Sequence, residues 1–233
     1  MYDYKEIYNS IETVADFLQV CNDYDVKEVE KYTTEWDYDN AVPYTYLGNI
    51  GGDWVYNAPA SDDRIGIQCS FNEVEKEIHV PVGYTHGYDR HQPDALCEKI
   101  IKFLRFEEPY QADVNLQPVN VLKCLHYDNM STFFYNNKEM HSLPFDKVRR
   151  QPEHPLELRR IFVALQDWQD GWIFQMGTKQ WAGWKKGDVI DFHWRGQPHS
   201  TANAGFSDRA LLKISGFTDI DYFGTIDLED ISC

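Results

Sequence analysis

Residues 161–176 read IFVALQDWQDGWIFQM. A β-favouring run from Ile161 to Gln166 meets the turn signal Gln169-Asp170-Gly171, and a second run follows from Trp172 to Met176. β-Branched and aromatic side chains suit a pleated, half-buried surface, while Asp and Gly take up the backbone conformations of a turn. The alternation repeats outward. Val119 to His126, Ser131 to Tyr135, Val189 to Trp194 and Arg209 to Phe217 are further runs, and Lys186-Gly187-Asp188 and Ala204-Gly205 are further turn signals. Short strands punctuated in this way predict a mainly β sandwich or barrel.

The first 110 residues differ. Ile11, Val14, Ala15 and Leu18 recur at helical spacing between Ile11 and Val20, and Ala95, Leu96, Ile100, Ile101 and Leu104 do so between Pro93 and Phe106, so two amphipathic helices are expected. Between them lies a stretch rich in Tyr, Gly, Asp and Pro, with short strands expected at Arg64 to Ser70 and Glu77 to Val82. The expectation is one domain over 1–233: a mixed helix and strand scaffold (1–110) packed on a β core (111–217), and a C-terminal tail (218–233). Residues 137–158, with Pro144, Pro152 and Pro155, read as a long connection inserted between strands.

At 233 residues and 42% hydrophobic content the chain can bury one substantial core. A formal charge of -16 disfavours an electrostatic grip on nucleic acid or anionic lipid, so neither partner is expected. The five cysteines are scattered with no Cys-x-x-Cys pair, which points to reduced thiols. The N-terminus has no secretory pattern and no run of about 18 apolar residues occurs, so a reducing cytoplasm is the expected compartment.

Two short stretches carry chemistry: His126-Tyr127-Asp128, and Pro198-His199 followed ten residues later by Arg209. On a strand, His126 and Asp128 project from one face about 7 Å apart. His199 and Arg209 are symmetric about Ala204, so a hairpin turning through Ala202 to Phe206 would set them opposite each other. Two imidazoles and one carboxylate form the facial ligand set of non-heme Fe(II), which leaves positions open for a co-substrate and O₂. A guanidinium beside such a centre suits a dicarboxylate that chelates iron at one end and needs a fixed cation at the other. 2-Oxoglutarate fits that description.

This constellation resembles the Fe(II)/2-oxoglutarate-dependent oxygenase superfamily over roughly residues 110–217. The resemblance implies a double-stranded β-helix (a cupin-like jelly roll) with helices on its outside. It assigns His126, Asp128 and His199 to Fe(2+) and Arg209 to the 2-oxoglutarate carboxylate. Trp184 to Phe192 is similar to the turn and strand that precede the family's second histidine. Several branches place Ser two residues after the arginine, where this chain has Leu211, so the carboxylate's second partner must come from elsewhere; Tyr135 and Thr132, on the expected strand after the first motif, are the candidates. The implied activity is hydroxylation of an unactivated C–H bond in a small molecule or a peptide side chain, with release of succinate and CO₂. The motif context is slightly similar to prolyl or aspartyl/asparaginyl hydroxylases. Retention of Asp128 argues against the halogenase branch, which lacks that ligand.

Plainer readings stand beside these. His193 is a weaker alternative ligand, and His79, His86, His91, His141 and His154 read as surface or locally bonded groups. Trp168, Trp172, Trp181, Trp184 and Trp194 read first as filling between sheets. Arg149-Arg150 and Arg159-Arg160 read as solvated charges. Two other functions fit the same residues: a non-catalytic metal- or sugar-binding jelly roll, and a non-heme iron dioxygenase that chelates its organic substrate directly without 2-oxoglutarate.

Overall fold

The computed structural model describes residues 2–24, 42–58, 70–72, 77–79, 89–126, 128, 131–145, 157–194 and 197–231. The protein is mainly β, with one mixed sheet, smaller antiparallel ones and few helices.

The larger sheet runs, edge to edge, through β13 (Gly224–Asp227), β1 (Tyr44–Gly51), β10 (Asp188–Phe192), β7 (Glu157–Ala164), β12 (Arg209–Thr218), β5 (Glu107–Gln117) and β4 (Asp89–His91). Its pairings are antiparallel except β1 with β13, which is parallel. The smaller sheet is antiparallel, in the order β6 (Leu122–His126), β11 (His199–Asn203), β8 (Trp172–Met176) and β9 (Lys179–Trp181). A separate hairpin joins β2 (Ser70–Asn72) to β3 (Glu77–His79).

The larger sheet buries both faces, so apolar residues fall on both sides of its central strands. On β7, Leu158, Phe162 and Ala164 enter one core while Ile161 and Val163 enter another; on β12, Leu211 takes the first side and Ala210, Leu212 and Ile214 the second. The first core lies between the two sheets, where Phe162, Ile190 and Phe192 meet Trp172, Phe174, Met176 and Trp181 of the smaller sheet. The second is closed by helix α3 (Ala95–Phe103), which lays Cys97, Ile100 and Ile101 on the sheet after its Asp94 cap accepts from the Cys97 amide. Helices α1 (Tyr4–Asn9) and α2 (Val14–Asp23) extend the first core, and α2 starts at a Thr13/Asp16 capping box. Among the described residues no helix is long and apolar enough to cross a membrane.

Three expectations change. The boundary at residue 110 falls inside β5, and β1 and β4, from the expected scaffold, are strands of the larger sheet. Ser131 to Tyr135 is not a strand but helix α4 (Ser131–Asn136), because one helical turn drops Phe134 edge-on against Phe17 at 6.4 Å, and that packing overrides local β preference. The connection after it is partly packed: Met140 and Phe145 are buried, and Phe145 stacks on Phe17 at 4.8 Å. Residues 146–156 of that connection, and most of the strand expected at Arg64 to Ser70, lie outside the described residues.

Leu212, fully buried between the sheet and α3, sets the scale of the second core: Leu212→Ala is expected to cost about 2–5 kcal/mol in urea unfolding. Burial, with Asp94 beside it, pushes the Cys97 thiol up to about 12. The folded value exceeds the ordinary one, so the associated stability is complete below a pH of about 8.5 and is lost as pH rises through the folded value. Cys97 should therefore resist iodoacetamide at about pH 8 in the native protein and react in urea, as read by mass spectrometry.

Candidate metal centre

His199 opens β11, a strand bonded along both edges. Its Cα partners are His126 of β6 on one side and Met176 of β8 on the other. The two histidines, 73 residues apart in the chain, are thus direct cross-strand neighbours. The His199 ring is buried, edge-on to Phe192 at 4.9 Å and 6.3 Å from Phe174. Its Nδ1 lies 3.2 Å from the Gln197 carbonyl. A carbonyl only accepts, so Nδ1 carries the proton and Nε2 keeps the lone pair a metal requires.

That Nε2 lies 3.5 Å from Asp128 Oδ2. Two donors at that spacing, each roughly 2.1 Å from one ion, would subtend roughly 110°, which two adjacent ligands of a single ion can adopt. Imidazole and carboxylate also suit Fe(II) in donor type. These two donors therefore fit such an ion. Among the described residues no complete set of three His, Cys, Asp or Glu side chains is assembled; the His126 side chain lies outside those described, and its backbone faces His199.

Arg209 reaches the same interior by a different route from the one expected. It does not face His199 across a hairpin: β11 and β12 belong to different sheets, and the Cα partner of Arg209 is Gln117. The physical reason is the Asn203 side chain. Its Nδ2 donates to the carbonyls of Gln117 and Ser207, and its Oδ1 accepts from the Gly205 amide, so residues 204–208 are held as a crossing between sheets. A side chain at Gly205 could not fit, since its Cβ would come within 2.9 Å of the Asp170 carbonyl. Arg209 is 0% exposed, donates from Nη1 to the Ile173 carbonyl at 3.0 Å, and lies 5.8 Å from the Phe174 ring. Phe174 is therefore flanked by His199 and Arg209 together.

Arg160 corrects the reading of Arg159-Arg160 as solvated charges. It is 6% exposed and shares the inward parity of Phe162. It pairs with Asp128, donates from Nε to Ser215 Oγ at 3.2 Å and lies 5.7 Å from the Trp194 ring. Arg159 points the opposite way, to Asp191 at 3.3 Å and the Ile220 carbonyl. The signal was present: starting the strand at Glu157 instead of Ile161 gives Arg160 the parity of Phe162 and Ala164. Arg149-Arg150 lies outside the described residues.

Tyr135 is exposed, with its hydroxyl 2.7 Å from Asn22 Oδ1 and 3.2 Å from the Leu18 carbonyl, against α2. Thr132 belongs to α4, and its side chain is outside those described. His193 donates from Nδ1 to the Val42 carbonyl at 2.7 Å and meets Thr45 Oγ1 at 3.0 Å. His141 bonds the Phe134 carbonyl, and His86 and His154 lie outside the described residues. The tryptophans are core filling: Trp172, Trp181, Trp184 and Trp194 are buried, and Trp172 stacks on Trp184 at 6.2 Å.

No protein-family model matches the chain, and no curated protein aligns with it. Among solved structures it is similar to the plu4264 protein of Photorhabdus luminescens, at 11% identity over 69% of this chain and 88% of that one, with a TM-score of 0.32. It is also similar to a prolyl-4-hydroxylase of Pseudomonas putida, at 18% identity over 50% of this chain and 56% of that one, with a TM-score of 0.31. Likeness at this level carries no argument about family or activity.

The Tyr135 hydroxyl belongs to helix packing in this geometry. Tyr135→Phe is expected to lower stability by about 1 kcal/mol in urea and to leave any affinity for 2-oxoglutarate at the wild-type value in calorimetric titration.

Proposed function

We propose that the protein is an Fe(II)- and 2-oxoglutarate-dependent oxygenase that hydroxylates an unactivated C–H bond, built on a double-stranded β-helix. Strand order supports the architecture. From β5 to β12 the chain passes back and forth between two facing sheets, so strands distant in sequence become neighbours around one interior. The observation that carries the function is the meeting of His199 Nε2 with the Asp128 carboxylate at 3.5 Å, with His126 opposite on the neighbouring strand and Arg209 beyond Phe174.

In this reading His126, Asp128 and His199 bind the metal. The bond from His199 Nδ1 to Gln197 holds the ring in the ligating tautomer and orientation. Arg209 receives the far carboxylate of 2-oxoglutarate, and its planar fork, oriented by Ile173 and Phe174, suits a two-point grip. Phe162, Phe174 and Phe192 pack within about 6 Å of one another beside His199 and exclude water from its inner side. Fe(II), with 2-oxoglutarate and O₂ bound, supplies the oxidising power for C–H hydroxylation and the conversion of 2-oxoglutarate to succinate and CO₂. The substrate is a small molecule or a peptide side chain.

Anaerobic addition of Fe(II) and 2-oxoglutarate should produce the weak visible charge-transfer band of the chelate, and admitting O₂ should yield succinate. Arg209→Ala should weaken 2-oxoglutarate binding at least tenfold, about 1.4 kcal/mol, and His199→Ala should abolish the band. A wild-type protein that binds the metal but not 2-oxoglutarate would overturn the assignment and favour a non-catalytic jelly roll or a dioxygenase that chelates its substrate directly.

A further inference from the structure

Asp128 stands beyond the end of β6, outside any strand, so no sheet ladder fixes the direction of its carboxylate. Arg160 pairs with it. This guanidinium is held at three points by groups from different elements: Nε donates to Ser215 Oγ on β12, the planar group lies over Trp194 after β10, and Nη1 pairs with Asp128 Oδ2. The same Oδ2 is the atom 3.5 Å from His199 Nε2. A cation buried to this extent is costly to desolvate, and the Asp128 carboxylate offsets that cost. A rigid fork anchored at its other edge also transmits a direction to the acid it binds, which a flexible ammonium does not.

We infer that Arg160 is a positioning residue for the metal centre. It holds the Asp128 carboxylate in the orientation that presents oxygen toward His199, with Ser215 and Trp194 fixing the guanidinium in turn. The inference rests on the metal-centre reading above and assigns Arg160 neither to substrate nor to 2-oxoglutarate.

Anaerobic titration with Co(II), followed by calorimetry and the visible Co(II) spectrum, tests it on the full chain. Arg160→Gln should weaken Co(II) binding roughly ten- to a hundredfold, and Arg160→Lys should recover part of that loss. Arg105→Gln, which removes an exposed cation paired with Asp219, should leave the affinity unchanged. If Arg160→Gln fails to fold, Ser215→Ala carries the test, with a severalfold loss of Co(II) affinity expected. A variant that melts lower yet binds Co(II) as tightly as wild type overturns the inference, because Arg160 would then serve packing alone. Wild type failing to bind Co(II) is a different result: it removes the metal centre itself, and the inference with it.

Discussion

β11 is hydrogen-bonded along both of its edges, and the rest of the site depends on that double pairing. One edge brings in β6 and sets His126 opposite His199; the other brings in β8 and sets Phe174 against the interior side of the same imidazole. An edge strand could slip by a residue, and a one-residue slip would turn His199, Thr201 and Asn203 outward together. Pairing on both sides opposes this: β8 meets β11 in unbroken register, and although the β6 pairing shifts by one residue between His199 and Thr201, the alternating burial of β11 is kept.

The second constraint is electrostatic. In a chain with sixteen more acidic than basic residues, two arginines among the described residues, Arg160 and Arg209, are nevertheless buried between the sheets. Each is oriented by several neighbours: Ser215, Trp194 and Asp128 for one, Ile173 and Phe174 for the other. Buried guanidinium groups are costly to desolvate. Asp128 answers the charge of Arg160, and under the proposed function Arg209 is the cation that would answer the co-substrate's carboxylate.

Much of this could be read from the residues alone. Alternating runs bounded by Asp-Gly and Gly-Asp located most of the later strands, and helical spacing found α2 and α3. Of the His126, Asp128 and His199 pattern, the described parts set Asp128 Oδ2 3.5 Å from His199 Nε2 and the His126 backbone opposite His199. Two of the misreadings depend on a partner distant in sequence. The symmetry of His199 and Arg209 about Ala204 is equally that of a hairpin; only the grip of Asn203 on Gln117 and Ser207 sends the two strands into separate sheets. Ser131 to Tyr135 has β-forming composition, and it coils because Phe134 finds Phe17. Arg160 looked exposed because its strand was begun too late, at Ile161.

The five-residue crossing from Ala204 to Asp208 is the only covalent link between the strand that carries the second histidine and the strand that begins with Arg209. Pinned at one end by Asn203 and at the other by the bond from the Val119 amide to Asp208, it fixes where β12 begins and so where Arg209 enters the interior. Under the proposed function, the place where the far carboxylate would be met is then fixed by backbone, ahead of any side chain that touches the acid.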